Sequence, residues 1–279
     1  MNKLKTLMFS LKKGDKLIPR LKAFLVKEQD DICSGRVPRS SPVIRDAELS
    51  ARTFRQRKEE YNHSDPATAD YFHPSQIGQC LRKLWFRQNG APVSTYPTGD
   101  DYLRQHFTFE IGTYAHVLIQ NLISRAGLLI RREVPIRNDK RKILGHADGI
   151  LRLDGCKQLL EIKTINSRGF AKLDGPKPEH KMQTTVYMAE LKLPTTIFVY
   201  YEKDAGQIKE YSYDCDPVQV DAMNKRIESF HTHTAKKTLP PAEGTNPNKF
   251  PCAWCEYSSV CFSTFDRRAF LKKIGASEK

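Results

Sequence analysis

The sequence predicts an α/β fold in which a central mixed sheet is flanked by helices, and three observations carry that prediction. Asp154-Gly155 is a two-residue hairpin signal set between the apolar runs of "RKILGHADGILRL" and "CKQLLEIKT". "FEIGTYAHVLIQNLISRAG" before it and "HKMQTTVYMAELK" after it repeat apolar residues at helical spacing. A further strand-rich stretch, "TTIFVYYEKDAGQIKEYSYD", follows Pro194. Helix, hairpin, helix and strand in that order suit a curved sheet with helices packed on it.

Residues 1–72 read as an extension of that unit. Residues 3–13 and 16–27 are Lys-rich with leucines at helical spacing, and "SGRVPRSSPVIRD" then breaks the pattern with Pro, Gly and Ser. A polar segment rich in Arg and Glu runs on to Tyr61. This extension reads equally as an amphipathic surface helix with a linker and as an arm for DNA or a protein partner. At His73 the character changes. "HPSQIGQCLRKLWFRQNG" predicts a helix with Ser75 as its N-cap and Asn89-Gly90 as its stop. Ile77, Cys80, Leu81, Leu84 and Trp85 form one apolar stripe on it, where a cysteine is most simply a small buried residue. A second helix over 109–127 ends at Gly127 and offers Ile111, Tyr114, Ala115, Leu118 and Leu122 as its core stripe. The main domain is read as residues 73–265, and residues 266–279 as a basic tail.

With 39% hydrophobic residues the chain has the composition of a globular protein, and no run of about 18 uncharged apolar residues is present to cross a membrane. Lysines interrupt the basic N-terminus too often to leave a secretory apolar core, so an intracellular, cytoplasmic protein is expected. A formal net charge of +14 favours a polyanionic partner. The cysteine count is odd, at 7, which argues against a disulfide framework in that compartment. Three of them, Cys252, Cys255 and Cys261, cluster in "FPCAWCEYSSVCF" and point to metal, as an incomplete set of four thiolates.

Chemistry concentrates on the hairpin. Strand alternation places Glu161 and Lys163 of "LLEIKT" on one face and Ile162 on the other. The hairpin also brings Asp148, in "LGHADG", near Glu161. Two carboxylates in mutual reach repel unless a cation lies between them, and Mg2+ or Mn2+ takes oxygen ligands from such a pair together with water and phosphate. A lysine beside that cation can orient or deprotonate a water and offset charge developing on a phosphate. On its own the triplet matches a solvated sheet face well, and such triplets are common by chance.

Four spaced motifs together resemble the RecB-like branch of the PD-(D/E)xK nuclease superfamily. "EIGTYAHVLIQ" is similar to the branch's helix in which a glycine, here Gly112, precedes by four residues a metal-binding histidine, here His116. "GHADGIL" resembles its Gly-x-x-Asp-Gly strand with Asp148 as the metal carboxylate, "EIK" its acidic-x-lysine pair, and "QTTVY" its Gln-x-x-x-Tyr helix, carried by Gln183 and Tyr187. The resemblance covers about residues 73–262. It implies a restriction-endonuclease-like core in which His116, Asp148, Glu161 and the Ile162 carbonyl bind one or two Mg2+ or Mn2+ ions. Lys163 would align the attacking water, with Gln183 and Tyr187 in support. The implied activity is two-metal hydrolysis of DNA, as an exonuclease on single strands or DNA ends, in phage or host recombination and replication or in CRISPR adaptation. His146, two residues before Asp148, is not part of the motif.

Within that branch, the CRISPR-associated, AddB-type and phage exonucleases hold a [4Fe–4S] cluster with one cysteine before the core and three after it. "SQIGQCLRKLWF" resembles the upstream element and "CAWCEYSSVC", spaced C-x2-C-x5-C, the downstream trio. The resemblance therefore implies Cys80, Cys252, Cys255 and Cys261 as a cluster clip around the core; structural Zn2+ on four thiolates is the alternative. Cys33, Cys156 and Cys215 are left as ordinary thiols. Two rival readings remain: a catalytically silent DNA-binding assembly subunit that keeps the nuclease fold, and a zinc-stabilised RNA-binding protein.

Overall fold

The computed structural model describes residues 16–34, 36, 50–51, 70–94 and 99–278. The helix expected over residues 3–13 and nearly all of the Pro/Gly/Ser-rich break and of the polar segment after it lie outside the described residues. The Asp154-Gly155 signal forms the hairpin it predicts. Leu153 pairs with Cys156 across the turn, and both turn residues take positive φ, 52° and 76°, as a type I′ turn requires.

Along the chain, α1 (Leu17–Cys33), α2 (Leu81–Gln88) and α3 (Gly99–Arg125) precede β1 (Leu129–Asn138), β2 (Ile143–Leu153) and β3 (Cys156–Ile165). Short α4 (Ser167–Ala171) and α5 (Pro178–Leu191) lead to β4 (Thr195–Glu202) and β5 (Ile208–Asp214). Then α6 (Pro217–Ala235), α7 (Ser258–Phe262) and α8 (Thr264–Ile274) follow. The five strands form one sheet in chain order. Only β3 and β4 run parallel; the other pairs are antiparallel. That parallel step needs a crossover, which α4 and α5 supply. The architecture is the mixed, helix-flanked sheet that the sequence predicts.

One sheet face buries Leu151, Leu153, Leu160, Ile162, Ile197 and Val199 beneath Ile119 and Ile123 of α3 and Leu17 and Leu21 of α1. The other face carries Ala147 and Leu159 into a larger core with α2, α5, α6 and α8. Part of the expected N-terminal extension is thus built into the domain: Leu17 is fully buried. A carboxylate from the far edge strand holds it there. Glu210 accepts the backbone N–H groups of Lys16, Leu17 and Ile18 at 2.7–3.0 Å, filling donors that a helix N-terminus leaves open. Glu210→Ala leaves the buried Leu17 N–H without its acceptor and is expected to cost about 1–3 kcal/mol, read as a lowered Tm with earlier proteolysis within α1.

Three other expectations are corrected. The helix begun at Ser75 is a 3-10 turn at Pro74–Gln76, with α2 starting only at Leu81 and Cys80 at its N-cap. Arg226 takes the carbonyls of Ile77 and Gln79 at 2.7 and 2.5 Å, and Glu243 accepts the Leu81 N–H at 2.9 Å; these tertiary bonds hold residues 77–80 out of the helix. The second helix starts ten residues earlier than expected, at Gly99. Of its expected stripe, Ile111, Tyr114 and Leu118 are exposed while Ala115 is buried. Residues 99–111 are exposed throughout, and beyond them Ala115, Val117, Ile119 and Ile123 turn inward while Tyr114 and Leu118 face out, so most of the expected stripe belongs to a surface. Lastly, the basic tail is largely α8, whose Phe270 and Leu271 are buried with Trp85 and Phe86. Among the described residues no helix is long and apolar enough to cross a membrane.

Candidate active site and cysteine pocket

Antiparallel register sets the site. Gly149 lies opposite Leu160, so Asp148 and Glu161 are the next residues on each strand. Both glycines of the Gly-x-x-Asp-Gly strand are needed for close approach. A Cβ on Gly145 would stand 2.9 Å from Pro74 Cδ, and one on Gly149 2.9 Å from the Arg131 carbonyl. Asp148 Oδ2 accepts the Ile162 N–H at 2.6 Å, and its Oδ1 lies 3.2 Å from Nδ1 of His116 on α3. Glu161 Oε1 is 2.7 Å from Lys163 Nζ, which donates to Gln183 Oε1 at 2.9 Å. Gln183 Nε2 in turn donates to Tyr187 Oη at 3.1 Å. Residues read from four separate motifs therefore form two short chains of contacts on α3, β2, β3 and α5. For Ile162 the contact is through its N–H.

Glu161 is 2% exposed, and its Oε2 has no hydrogen-bond partner among the described residues. Burial, with Asp148 adding, pushes its pKa up to about 7 in spite of Lys163. An orphaned buried carboxylate oxygen beside Asp148 and His116 is the donor chemistry that a Mg2+ or Mn2+ ion takes, so the residues fit such an ion. In the present side-chain arrangement these groups pair with one another, and no three His, Cys, Asp or Glu side chains are set to hold a metal ion among the described residues.

The raised Glu161 pKa has a direction in stability. The folded state holds this proton more tightly than the unfolded chain, so stability falls as pH rises from about 4.5 to about 7 and is then flat. In chelator, Glu161→Gln should raise the Tm above that of wild type at about pH 8. The difference should vanish near pH 4.5, where both side chains are neutral; melts at the two pH values check it.

The structure adds polar groups that sequence reasoning missed. Gln120 donates through Nε2 to Glu133 Oε1 at 2.7 Å and to the Asp148 carbonyl at 2.8 Å. Its position four residues after His116 on one helix face was the available signal. Glu133 is buried at a φ of 42°, a conformation costly for a side-chain-bearing residue; nothing local in the sequence marks it. His180, one turn before Gln183, lies 2.7 Å from Tyr200 Oη, and burial lowers its pKa to about 3, so it stays neutral.

Cys80, Cys252, Cys255 and Cys261 line one cavity of about 510 Å3, with Lys83, Glu243 and Trp254 among its other walls. Burial raises the pKa of the Cys252 and Cys255 thiols. Gly244 presses on the pocket: a Cβ there would sit 2.2 Å from Cys252 Sγ. Four thiols around one cavity fit the donor set of a tetrathiolate metal group, whether iron–sulfur or zinc. The walls are also joined without metal. Glu256 pairs with Lys83 and Arg87, each at 2.8 Å, and Phe86 packs against Tyr257 and Phe270. Cys33 and Cys156 are exposed and Cys215 is half-buried, all as free thiols.

The chain matches no family model and no curated protein. Among solved structures it is similar to the protein SSO0001, at 18% identity and a TM-score of 0.45, over 69% of this chain and 86% of that one. It is also similar to an alkaline exonuclease, LHK-Exo, from Laribacter hongkongensis, at 18% identity and a TM-score of 0.45, over 61% and 90% of the two chains. A phage-related exonuclease from Haemophilus somnus aligns at 13% identity and a TM-score of 0.33, over 55% and 78%. Likeness at this distance assigns no activity, which has to be argued from the side chains.

Proposed function

We propose that the chain is a metal-dependent DNA nuclease, acting on single strands or DNA ends as an exonuclease by two-metal phosphodiester hydrolysis. The observation that carries this reading is the gathering of His116, Asp148, Glu161, Lys163, Gln183 and Tyr187 at one place by four elements, with one Glu161 oxygen buried and unbonded among the described residues. His116, Asp148 and Glu161, with the Ile162 carbonyl, would hold the divalent cation. When bound, such a cation neutralises the scissile phosphate and activates water.

The chain's own groups do the positioning. Glu161 and Gln183 grip the Lys163 ammonium from two sides, so it can meet charge developing on the phosphate without reorganising. Tyr187 fixes which end of the Gln183 amide faces Lys163, because its hydroxyl accepts the Nε2 hydrogen. His116 and Gln120 approach Asp148 at its carboxylate and carbonyl respectively and hold its strand against α3. The cavity of Cys80, Cys252, Cys255 and Cys261 is read as the seat of a structural [4Fe–4S] cluster, with Zn2+ as the alternative.

The test is cleavage of end-labelled linear and of circular DNA, single- and double-stranded, in Mg2+ or Mn2+. Digestion of linear DNA alone supports the exonuclease, and the label reports polarity. Cut circles would make it an endonuclease. Strand binding without cleavage by metal-loaded wild type would replace this reading with the silent assembly subunit.

A further inference from the structure

The face of α3 that carries His116 continues beyond the sheet. Residues seven and fourteen positions before His116 return to the same side of a helix. They are Phe109 and Tyr102, exposed by 65% and 62%. Between Tyr102 and His116 this side also presents Gln105, His106, Gly112 and Thr113, and no carboxylate. Asp100 and Glu110 fall on other sides by the same spacing. Asp101 stands at the margin, 3.6 Å from Arg104.

A strip of flat aromatic faces without lysine or arginine between them is poorly suited to phosphates or to an aliphatic partner helix. The opposite side of α3, with exposed Leu103, Phe107 and Ile111, has that second character. Unpaired bases are the polyanion component that stacks on aromatic rings, and each such platform contributes whatever the base. Paired bases are stacked on their neighbours and have no free face to offer. The strip leads directly to His116, and the chain's +14 charge favours a nucleic-acid strand as what lies on it.

We propose that this face of α3 is a stacking track for the bases of single-stranded nucleic acid entering the active site, with Phe109 and Tyr102 as its platforms. The proposal rests on the nuclease reading and assigns the residues that hold its single strand outside the metal-binding groups. At a rise of about 1.5 Å per residue, Phe109 and Tyr102 lie about 10 and 21 Å from His116 along the helix. These distances are roughly three and six stacked-base rises of 3.4 Å. The track therefore engages bases about three and six positions from the scissile phosphate.

The experiment measures binding of a fluorescent decathymidylate by anisotropy in Lys163→Ala protein, which holds the strand uncut. Adding Phe109→Ala should weaken binding about 5- to 100-fold, and adding Phe109→Trp should not. An abasic site at the third position should weaken the protein with Phe109 intact by the same factor, and the Phe109→Ala protein by no more. In the otherwise wild-type enzyme, Phe109→Ala should raise KM for the decamer more than it lowers kcat. Unchanged strand affinity in Phe109→Ala and Tyr102→Ala, with wild type still cleaving DNA, would overturn the track and leave the nuclease reading standing. Failure of wild type to bind or cleave any strand would overturn both. A changed sedimentation coefficient with unchanged affinity would reassign the face to a protein contact.

Discussion

Lys163→Ala protein is expected to cleave DNA about 1,000-fold more slowly than wild type while still binding it. Removing one preorganised electrostatic donor from an active site typically costs 100- to 1,000-fold, and loss of a group that aligns or deprotonates water is of similar size. Preorganisation is what the contacts of Lys163 describe. Its Nζ lies 2.7 Å from Glu161 Oε1 and 2.9 Å from Gln183 Oε1, with the side chain 22% exposed. Substitution also removes the main group opposing the upward shift of the Glu161 pKa. The variant should therefore lose stability above about pH 7, where Glu161 would have to ionise without its counter-charge, and cleavage is best compared near neutrality with the fold checked by circular dichroism. Gln183→Ala removes only one of the two acceptors and should cost about 10-fold. A Lys163→Ala enzyme within threefold of wild type would remove Lys163 from the mechanism. No cleavage by wild type in either metal would make the chain a binding subunit.

The parts of this site legible in the sequence were those fixed by local geometry. A two-residue turn sets hairpin register, and strand alternation then decides which side chains share a face. Glu161 and Lys163 on one side, Ile162 on the other and Asp148 across the hairpin all follow from that. Gln183 and Tyr187 share a helix face for the same kind of reason. What was not legible depends on contacts distant in sequence. Cys80 looked like a stripe residue because Ile77, Leu81 and Leu84 have helical spacing. Arg226 and Glu243, far along the chain, take the backbone groups a helix through Cys80 would have used. Glu210 capping α1 across the sheet is likewise invisible locally. For α3 the periodicity was real but its meaning was not local, since exposed Ile111 and Leu118 and buried Ile119 and Ile123 lie on the same helix. In a pattern of apolar residues nothing says which face of a helix, or how much of its length, the sheet covers.

Cys252→Ala should strip the purified protein of bound metal and lower its Tm by at least about 10 °C. A group that binds the folded chain and not the unfolded one adds its binding free energy to stability. Tetrathiolate sites supply well over 5 kcal/mol, and for a chain of this size each kcal/mol moves Tm by about 2–4 °C. The variant should still fold, because the cavity walls are held together independently by the Glu256 pairs with Lys83 and Arg87 and by the Phe86, Tyr257 and Phe270 rings. Gly244→Ala offers a second route to the same end without touching a thiol. Its Cβ would meet Cys252 Sγ at 2.2 Å, so the Cys252 thiol must leave its present position and metal content should fall with it. Cys156→Ala, at an exposed thiol on the hairpin, should change neither quantity. Metal analysis of anaerobically purified protein, with its visible spectrum, separates the occupants: iron and sulfide with a broad charge-transfer band mark a cluster, and colourless protein with one zinc per chain marks the alternative. Wild type with neither metal, or a Cys252→Ala protein with undiminished metal and Tm, would show that the four cysteines do not act as one ligand set. The contacts between α2 and the C-terminal helices would then be what closes the domain.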